Sequence, residues 1–218
     1  NDLKAVPGSN YLYAATWGRG IWAITLATTQ QVNSVTCTPA TVQGTAAVTG
    51  TVFIAMPAGT GGVKVYLNSS DSSTASVPAS VTVPAGQTSA TFNITTYAVA
   101  QNENVTITAS YNGGSKQTSL SVLAPSPSAL TISPSGVVGG NNAKGTLTIN
   151  SPAPSGGLYV PLSSNNSYAS VPAKAFIAGG ATSGTFTITT HLPSVNQEAT
   201  ITATYNGVSQ QAYLVIFK

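Results

Sequence analysis

Apolar and polar residues alternate with a period of two along most of this chain. In Thr106-Ile107-Thr108-Ala109-Ser110-Tyr111 the side chains of Ile107, Ala109 and Tyr111 fall on one face, and Thr106, Thr108 and Ser110 on the other. That is the pattern of a strand with one face in a core and the other in water. Asn112-Gly113 follows, and both residues tolerate positive φ. The pair therefore predicts a tight turn onto a second alternating strand, Ser119-Leu120-Ser121-Val122. The whole motif returns 94 positions later as Thr200-Ile201-Thr202-Ala203-Thr204-Tyr205-Asn206-Gly207.

The recurrence extends over most of the chain. Val35-Thr36-Cys37-Thr38-Pro39 is answered by Leu130-Thr131-Ile132-Ser133-Pro134, and Gly50-Thr51-Val52-Phe53-Ile54 by Gly145-Thr146-Leu147-Thr148-Ile149. Ser89 to Thr95 is answered by Ser183 to Thr189. The offset is 95 residues early and 94 later, so one residue is missing from the second copy, around Ser70 and Asn165. This predicts a domain duplication: residues 34–125, then 126–218, preceded by a segment 1–30. Each copy holds seven or eight short strands with Gly, Pro and Ser turns and no helical periodicity, which predicts an all-β chain of Greek-key sandwiches. Ser76-Val77-Pro78-Ala79-Ser80-Val81-Thr82-Val83-Pro84-Ala85-Gly86 and the Thr-Ile-Thr-Ala-Ser-Tyr-Asn-Gly run resemble the tandem immunoglobulin-like repeats of large bacterial surface and secreted proteins. The cysteine pair and core tryptophan of antibody domains are missing, so their disulfide is not carried over.

The first 30 residues follow a different pattern. Tyr11 to Thr16 reads as a strand, Trp17-Gly18-Arg19-Gly20 as a glycine turn and Ile21 to Leu26 as a second strand. Ile21 and Ala23 lie on one face of that second strand and Trp22, Ile24 and Leu26 on the other. A strand apolar on both faces is normally covered on both sides. A lone hairpin is marginal in water, so this one calls for a host. Leu12-Tyr13-Ala14-Ala15-Thr16-Trp17-Gly18-Arg19-Gly20-Ile21-Trp22 resembles the closing strands of sortilin-like β-propellers with Asp-box (BNR) repeats, found in some secreted glycosidases. No other blade and no Asp-box is present, so the resemblance implies ancestry or a missing neighbour and no active site.

The last strand differs between the copies. In the first, Leu120 and Val122 face in while Ser119 and Ser121 face out. In the second, Tyr213, Val215 and Phe217 occupy the positions of Ser119, Ser121 and Leu123. Exposed, they would form an apolar edge, which proteins usually avoid, so a cover is expected.

Composition narrows the chemistry. Charged residues make up 5% of the 218 positions, against roughly 25% in ordinary soluble domains, so hydroxyl and amide side chains must form the surface. A net charge of +3 from scattered cations leaves no basic run to hold nucleic acid. No apolar run is long enough to span a membrane, and no leader pattern is present, so the chain reads as a mature protein or a fragment. The lone Cys37 sits where the second copy has Ile132, which predicts a small buried hydrophobe rather than a reactive thiol.

The four acids, Asp2, Asp71, Glu103 and Glu198, form no near pair of the kind glycoside hydrolysis needs. The two glutamates read as solvated loop charges. His191 is the single histidine and reads as a surface or partly packed ring; no metal or other cofactor is expected. Lys64 aligns with Tyr159, and no acid is placed to complete a Lys-Asn isopeptide staple. Asn68, Asn93, Asn104 and Asn165 stand in sequons for sugar attachment. Tyr11, Trp17 and Trp22 are a candidate sugar-stacking platform, set against a hairpin core.

The expectation is a non-enzymatic extracellular or cell-surface structural protein. Copies would associate head to tail into a fibre by strand addition. The expected assembly interface is Tyr11, Tyr13, Trp17, Ile21, Trp22 and Ile24 at one end and Tyr213, Val215 and Phe217 at the other. The alternative is an accessory spacer, carbohydrate-binding or adhesive module of a secreted propeller glycosidase or adhesin, with a polysaccharide or a cell surface as partner.

Overall fold

A computed structural model describes residues 2–5, 11–16, 20–25 and 29–218. All regular structure among them is β. The first three strands, β1 (Asp2–Ala5), β2 (Tyr11–Thr16) and β3 (Gly20–Thr25), form a separate antiparallel sheet in the order β1-β2-β3. The first sandwich follows: β4 (Val32–Thr38), β5 (Thr41–Gln43), β6 (Ala47–Ile54), β7 (Val63–Ser69), β8 (Ala75–Ser76), β9 (Ser80–Val83), β10 (Ser89–Thr96), β11 (Glu103–Tyr111) and β12 (Gly114–Leu123). They form two sheets, β4-β6-β10-β8 and β5-β12-β11-β7-β9.

The second sandwich repeats the plan. Its strands are β13 (Pro127–Ser133), β14 (Gly136–Val138), β15 (Ala143–Ile149), β16 (Leu158–Ser164), β17 (Ala169–Ser170), β18 (Lys174–Ile177), β19 (Ser183–Thr190), β20 (Gln197–Tyr205) and β21 (Val208–Phe217). The sheets are β13-β15-β19-β17 and β14-β21-β20-β16-β18. In each copy the opening strand divides between the two sheets. Its first half pairs antiparallel (β4 with β6, β13 with β15), and its second half runs parallel to the final strand (β5 with β12, β14 with β21). One sheet in A-B-E-D order facing another that contains G-F-C is the immunoglobulin arrangement.

The period-two pattern explains the packing. Ile107, Ala109, Leu120 and Val122 are fully enclosed in the first core, and Ile201, Ala203, Leu214 and Ile216 in the second. Each core also holds an aromatic ring seated on a glycine. Phe92 is the cross-strand partner of Gly50, and Phe186 of Gly145. A Cβ on either glycine would lie 2.2–2.7 Å from the ring, so only hydrogen leaves the ring room. The two hairpin turns are as the sequence requires: Asn112 and Gly113 have φ of 51° and 77°, Asn206 and Gly207 of 49° and 74°.

Four expectations change. The N-terminal segment is a three-stranded meander, with β1 added to the expected hairpin; the proposed turn residues 17–19 and Leu26 lie outside the described residues. Glu103 opens β11 and Glu198 is the second residue of β20, so neither is in a loop, although both are exposed. The extra residue of the first copy lies in the turn between Asp71 and Ala75. Ala75 N–H bonds Asp71 C=O, whereas its counterpart Ala169 bonds Asn166, one residue closer. Finally, β21 is not a sheet edge, because β14 and β20 flank it.

The sandwiches are joined by the short stretch 124–126. Ala124 and Pro125 are buried, which leaves the link no slack. Ala124 N–H donates to Asn102 Oδ1 at 2.9 Å, and Ser126 N–H to Asn150 Oδ1 at 2.9 Å. The Tyr205 hydroxyl donates to the Ala100 carbonyl, and Ser151 Oγ bonds Gln43 Oε1 at 3.2 Å. Desolvation at this contact raises the Tyr205 phenol above its ordinary pKa.

Candidate assembly surfaces

The outer faces of the two five-stranded sheets differ as the sequence predicts for their last strands. On the first, Ser119 and Ser121 stand beside Thr106 and Asn104 of β11, and the Ser121 hydroxyl donates to Asn104 Oδ1 at 2.5 Å. On the second, Tyr213 is 58% and Phe217 42% exposed, with Val215 half-buried. Their cross-strand neighbours are Thr200 for Tyr213 and Glu198 for Val215. The Phe217 ring lies across the parallel β14–β21 pair, over Gly136, where an added Cβ would meet the ring at 3.0 Å. Gly136 therefore gives the ring a seat on its own sheet. The face remains apolar where the first copy is hydroxylated.

Among the described residues, the backbone of β21 is only partly paired. β14 covers Val215 to Phe217, and Val215 N–H bonds Ser135 C=O. Alternation along an antiparallel strand turns the backbone groups of Ser209, Gln211 and Tyr213 to that same side, beyond the reach of β14. A short open ladder thus adjoins the apolar face.

At the other end of the chain, β2 and β3 pair Tyr11 with Thr25, Leu12 with Ile24, Ala14 with Trp22 and Ala15 with Ile21. β1 sets Lys4 opposite Tyr13, which is half-buried. Among the described residues, none of β1, β2 or β3 pairs with a strand of either sandwich. Trp17 lies outside the described residues, and with it the proposed sugar platform of Tyr11, Trp17 and Trp22. The two groups of expected interface residues sit on separate sheets, one ahead of the first sandwich and one at the end of the second.

Of the remaining chemical candidates, Cys37 and Asp71 have structural roles. Cys37 is enclosed in the first core, and burial raises its thiol pKa to about 11. Asp71 organises the turn before β8: its carboxylate accepts from the Ser73 N–H at 2.9 Å, the Ser73 hydroxyl at 2.6 Å and the Thr74 hydroxyl at 2.7 Å. The Ser73 hydroxyl bond leads the set that lowers its pKa to about 2. In the second copy Asn166 takes this place, accepting from Tyr168 N–H at 2.9 Å. Lys64 is exposed, with Nζ 5.3 Å from the Tyr66 ring centre. His191 is exposed, as are the sequon residues Asn68, Asn93, Asn104 and Asn165. Among the described residues no group of three or more His, Cys, Asp and Glu could hold a metal ion, and no helix is long and apolar enough to cross a membrane.

No protein-family model matches the chain, and no curated protein does. Solved structures match it at low identity. The D0-D1 domain of intimin is 13% identical over 86% of this chain and all of that one, with a TM-score of 0.37. The Yersinia pseudotuberculosis adhesin InvE is 9% identical over 86% of this chain and 58% of its own, with a TM-score of 0.48. The titin fragment I67-I69 is 13% identical over 98% of this chain and 83% of its own, with a TM-score of 0.37. Both sandwiches here are immunoglobulin-like. That statement rests on the strand order, since likenesses this distant carry no argument about activity or partner. No family model supports the propeller resemblance of Leu12 to Trp22.

Some exposed apolar residues escaped the sequence reading. Tyr159 and Phe176 pair across β16 and β18, with ring centres 4.8 Å apart at 41°. Leu192 and Val195 project from the loop between β19 and β20, and Val138 ends β14. Comparing the copies would have marked the last three, since their counterparts are Ala98, Gln101 and Gln43.

Proposed function

We propose that this chain is an extracellular structural protein, a subunit of a surface fibre or stalk that assembles head to tail. Residues 1–30 act as a docking segment ahead of two inert sandwiches, 34–125 and 126–218. The observation that carries this reading is the separate sheet β1-β2-β3, which adds to neither sandwich and contains β3, whose sequence is apolar on both faces. A single-layer sheet of that composition needs another layer or edge to bury it, and the edge of a neighbouring subunit supplies one. On the receiving side, the Tyr213–Phe217 face and the open ladder at Ser209 to Tyr213 offer apolar cover and backbone partners. Such a contact joins different surfaces of two subunits, so it propagates. A surface with few charges, built from hydroxyl and amide groups, suits a spacer whose role is mechanical.

A second reading is favoured by the meander order of β1-β2-β3, which matches part of a four-stranded propeller blade. In it the chain is the spacer or adhesive module of a secreted propeller glycosidase or adhesin.

Deletion of residues 1–27 is the test. It retains Gln30, whose amide bonds the Met56 backbone in both directions, and the first core begins only at Val32. The truncated chain is expected to be folded and monomeric. Polymers persisting in negative stain or light scattering would reject strand addition.

A further inference from the structure

The outer face of the second five-stranded sheet ends at β18, and there two aromatic rings stand in water. Tyr159 of β16 is 59% exposed and Phe176 of β18 46%. Strand geometry brings them together. Leu162 N–H bonds Ala173 C=O at 3.0 Å, so alternation along the ladder makes Tyr159 and Phe176 a pair with no backbone bonds between them. Pairs of that kind hold their Cα atoms about 4.5 Å apart, the closer of the two antiparallel spacings, and their side chains meet. Beneath Phe176 lies Gly157, with φ of 78°, where an added Cβ would be 2.4 and 2.6 Å from ring atoms. Phe176 is thus seated on Gly157 and braced by Tyr159, which fixes both rings before any ligand arrives.

The first copy has no such platform. Lys64 and Thr82 pair at the equivalent positions. Around the rings of the second copy the surface is hydroxyl and amide. Ser163 faces Thr202 of β20, and that register carried on by two residues sets Pro161, beside the rings, level with Thr204. Thr204 Oγ1 bonds Ser209 Oγ at 2.8 Å, and Gln211 Nε2 donates to Thr202 Oγ1 at 3.3 Å. Lys174 is exposed two residues from Phe176 on the same face, and neither β16 nor β18 contains a carboxylate.

The size of the patch decides its occupant. An aromatic side chain carries about 150–250 Å², so at 59% and 46% exposure the pair offers roughly 200 Å². A specific protein interface takes about 800 Å² from each partner. Two fixed rings bordered by neutral hydroxyls match a ligand that is itself apolar on one face and hydroxylated at its rim, on the scale of a sugar ring.

We propose that Tyr159 and Phe176 form a stacking platform for a neutral β-linked pyranose chain, with the hydroxyl and amide groups of β20 and β21 alongside it as hydrogen-bonding partners. The proposal rests on the second reading above, the adhesive module, and gives it a ligand.

Titration calorimetry of the full chain with cellohexaose and chitohexaose tests it. The unaltered chain is expected to bind at least one of them, equally at low and high salt because the contact is uncharged. Tyr159→Lys with Phe176→Thr installs the residues that the first copy carries on the same strands, so the fold is expected to stand. That variant should bind roughly tenfold more weakly or worse, whereas Tyr159→Phe keeps the stacking ring and should still bind. Binding unchanged in the double variant places the sugar elsewhere, overturning the platform and leaving the adhesive reading intact. Binding abolished by salt overturns the stacking contact in favour of Lys174. Self-association of the unaltered chain that disappears in the double variant makes the pair a protein contact and overturns the proposal. If the unaltered chain binds neither sugar, the platform falls; if insoluble cellulose and chitin also fail to retain it, the adhesive reading loses its sugar partner as well.

Discussion

Replacing Gly145 by alanine probes how the second core is closed. In most strand positions this change is favourable by about 0.5–1 kcal/mol, because alanine loses less backbone freedom on folding than glycine. At Gly145 the new methyl would sit 2.3, 2.5 and 2.7 Å from three atoms of the Phe186 ring. Nonbonded carbons rest at about 3.5–4 Å, so ring or strand must move by ~1 Å. Phe186 is buried among the core residues of its own sandwich, so a shift of the ring disturbs their packing. Overpacking of this kind typically costs 1–3 kcal/mol, about 2 kcal/mol here, and the sign is opposite to that of an open strand. For a unit this size ~1 kcal/mol moves the Tm by about 4–8 °C, so the second sandwich should melt roughly 8–16 °C lower. Scanning calorimetry reads this directly, with the first sandwich as internal control. Phe186→Leu removes the distal ring atoms, and in that background Gly145→Ala should be close to neutral. An unchanged or raised Tm would refute the reasoning. So would an equal penalty with and without the ring.

Two further outcomes follow from the titrating groups. Cys37, buried with its thiol raised to about pKa 11, should resist iodoacetamide at pH 8 in the native protein and react once the first sandwich unfolds; labelling of the native chain at the rate of a free thiol would contradict this. Asp71 has its folded pKa lowered from 3.8 to about 2, so its contribution is fully present above the unfolded value and disappears as pH falls through the folded one. Melting curves of the unaltered chain and Asp71→Asn should therefore differ most above about pH 4 and converge near pH 2. Because Asn166 holds the equivalent turn in the second copy, the variant should fold; a pH-independent difference would show that the charge is irrelevant.

Local alternation and local repetition were sufficient to place most strands, both Asn-Gly hairpins and the inward set from Val105 to Val122. A period of two, read against turns with positive φ, leaves little choice of face. The same comparison of copies exposed the hydroxyl-to-apolar change at Tyr213, Val215 and Phe217. It could not tell that β21 is an interior strand, because its parallel partner β14 is three residues long and pairs across some 80 positions of chain. Nor could it find β1, a four-residue strand with no alternation strong enough to mark it.

What the amino-acid order determined by itself is the build of each sandwich, since hydrophobic burial and turn stereochemistry act between residues close in the chain or across one hairpin. Only the tertiary structure decided which surfaces remain open. Among the described residues the N-terminal sheet pairs with neither sandwich, and in each sandwich an asparagine side chain binds the backbone just after the last strand. Those facts depend on how whole units meet, through contacts such as Tyr205 with Ala100 that lie more than a hundred residues apart and follow no period.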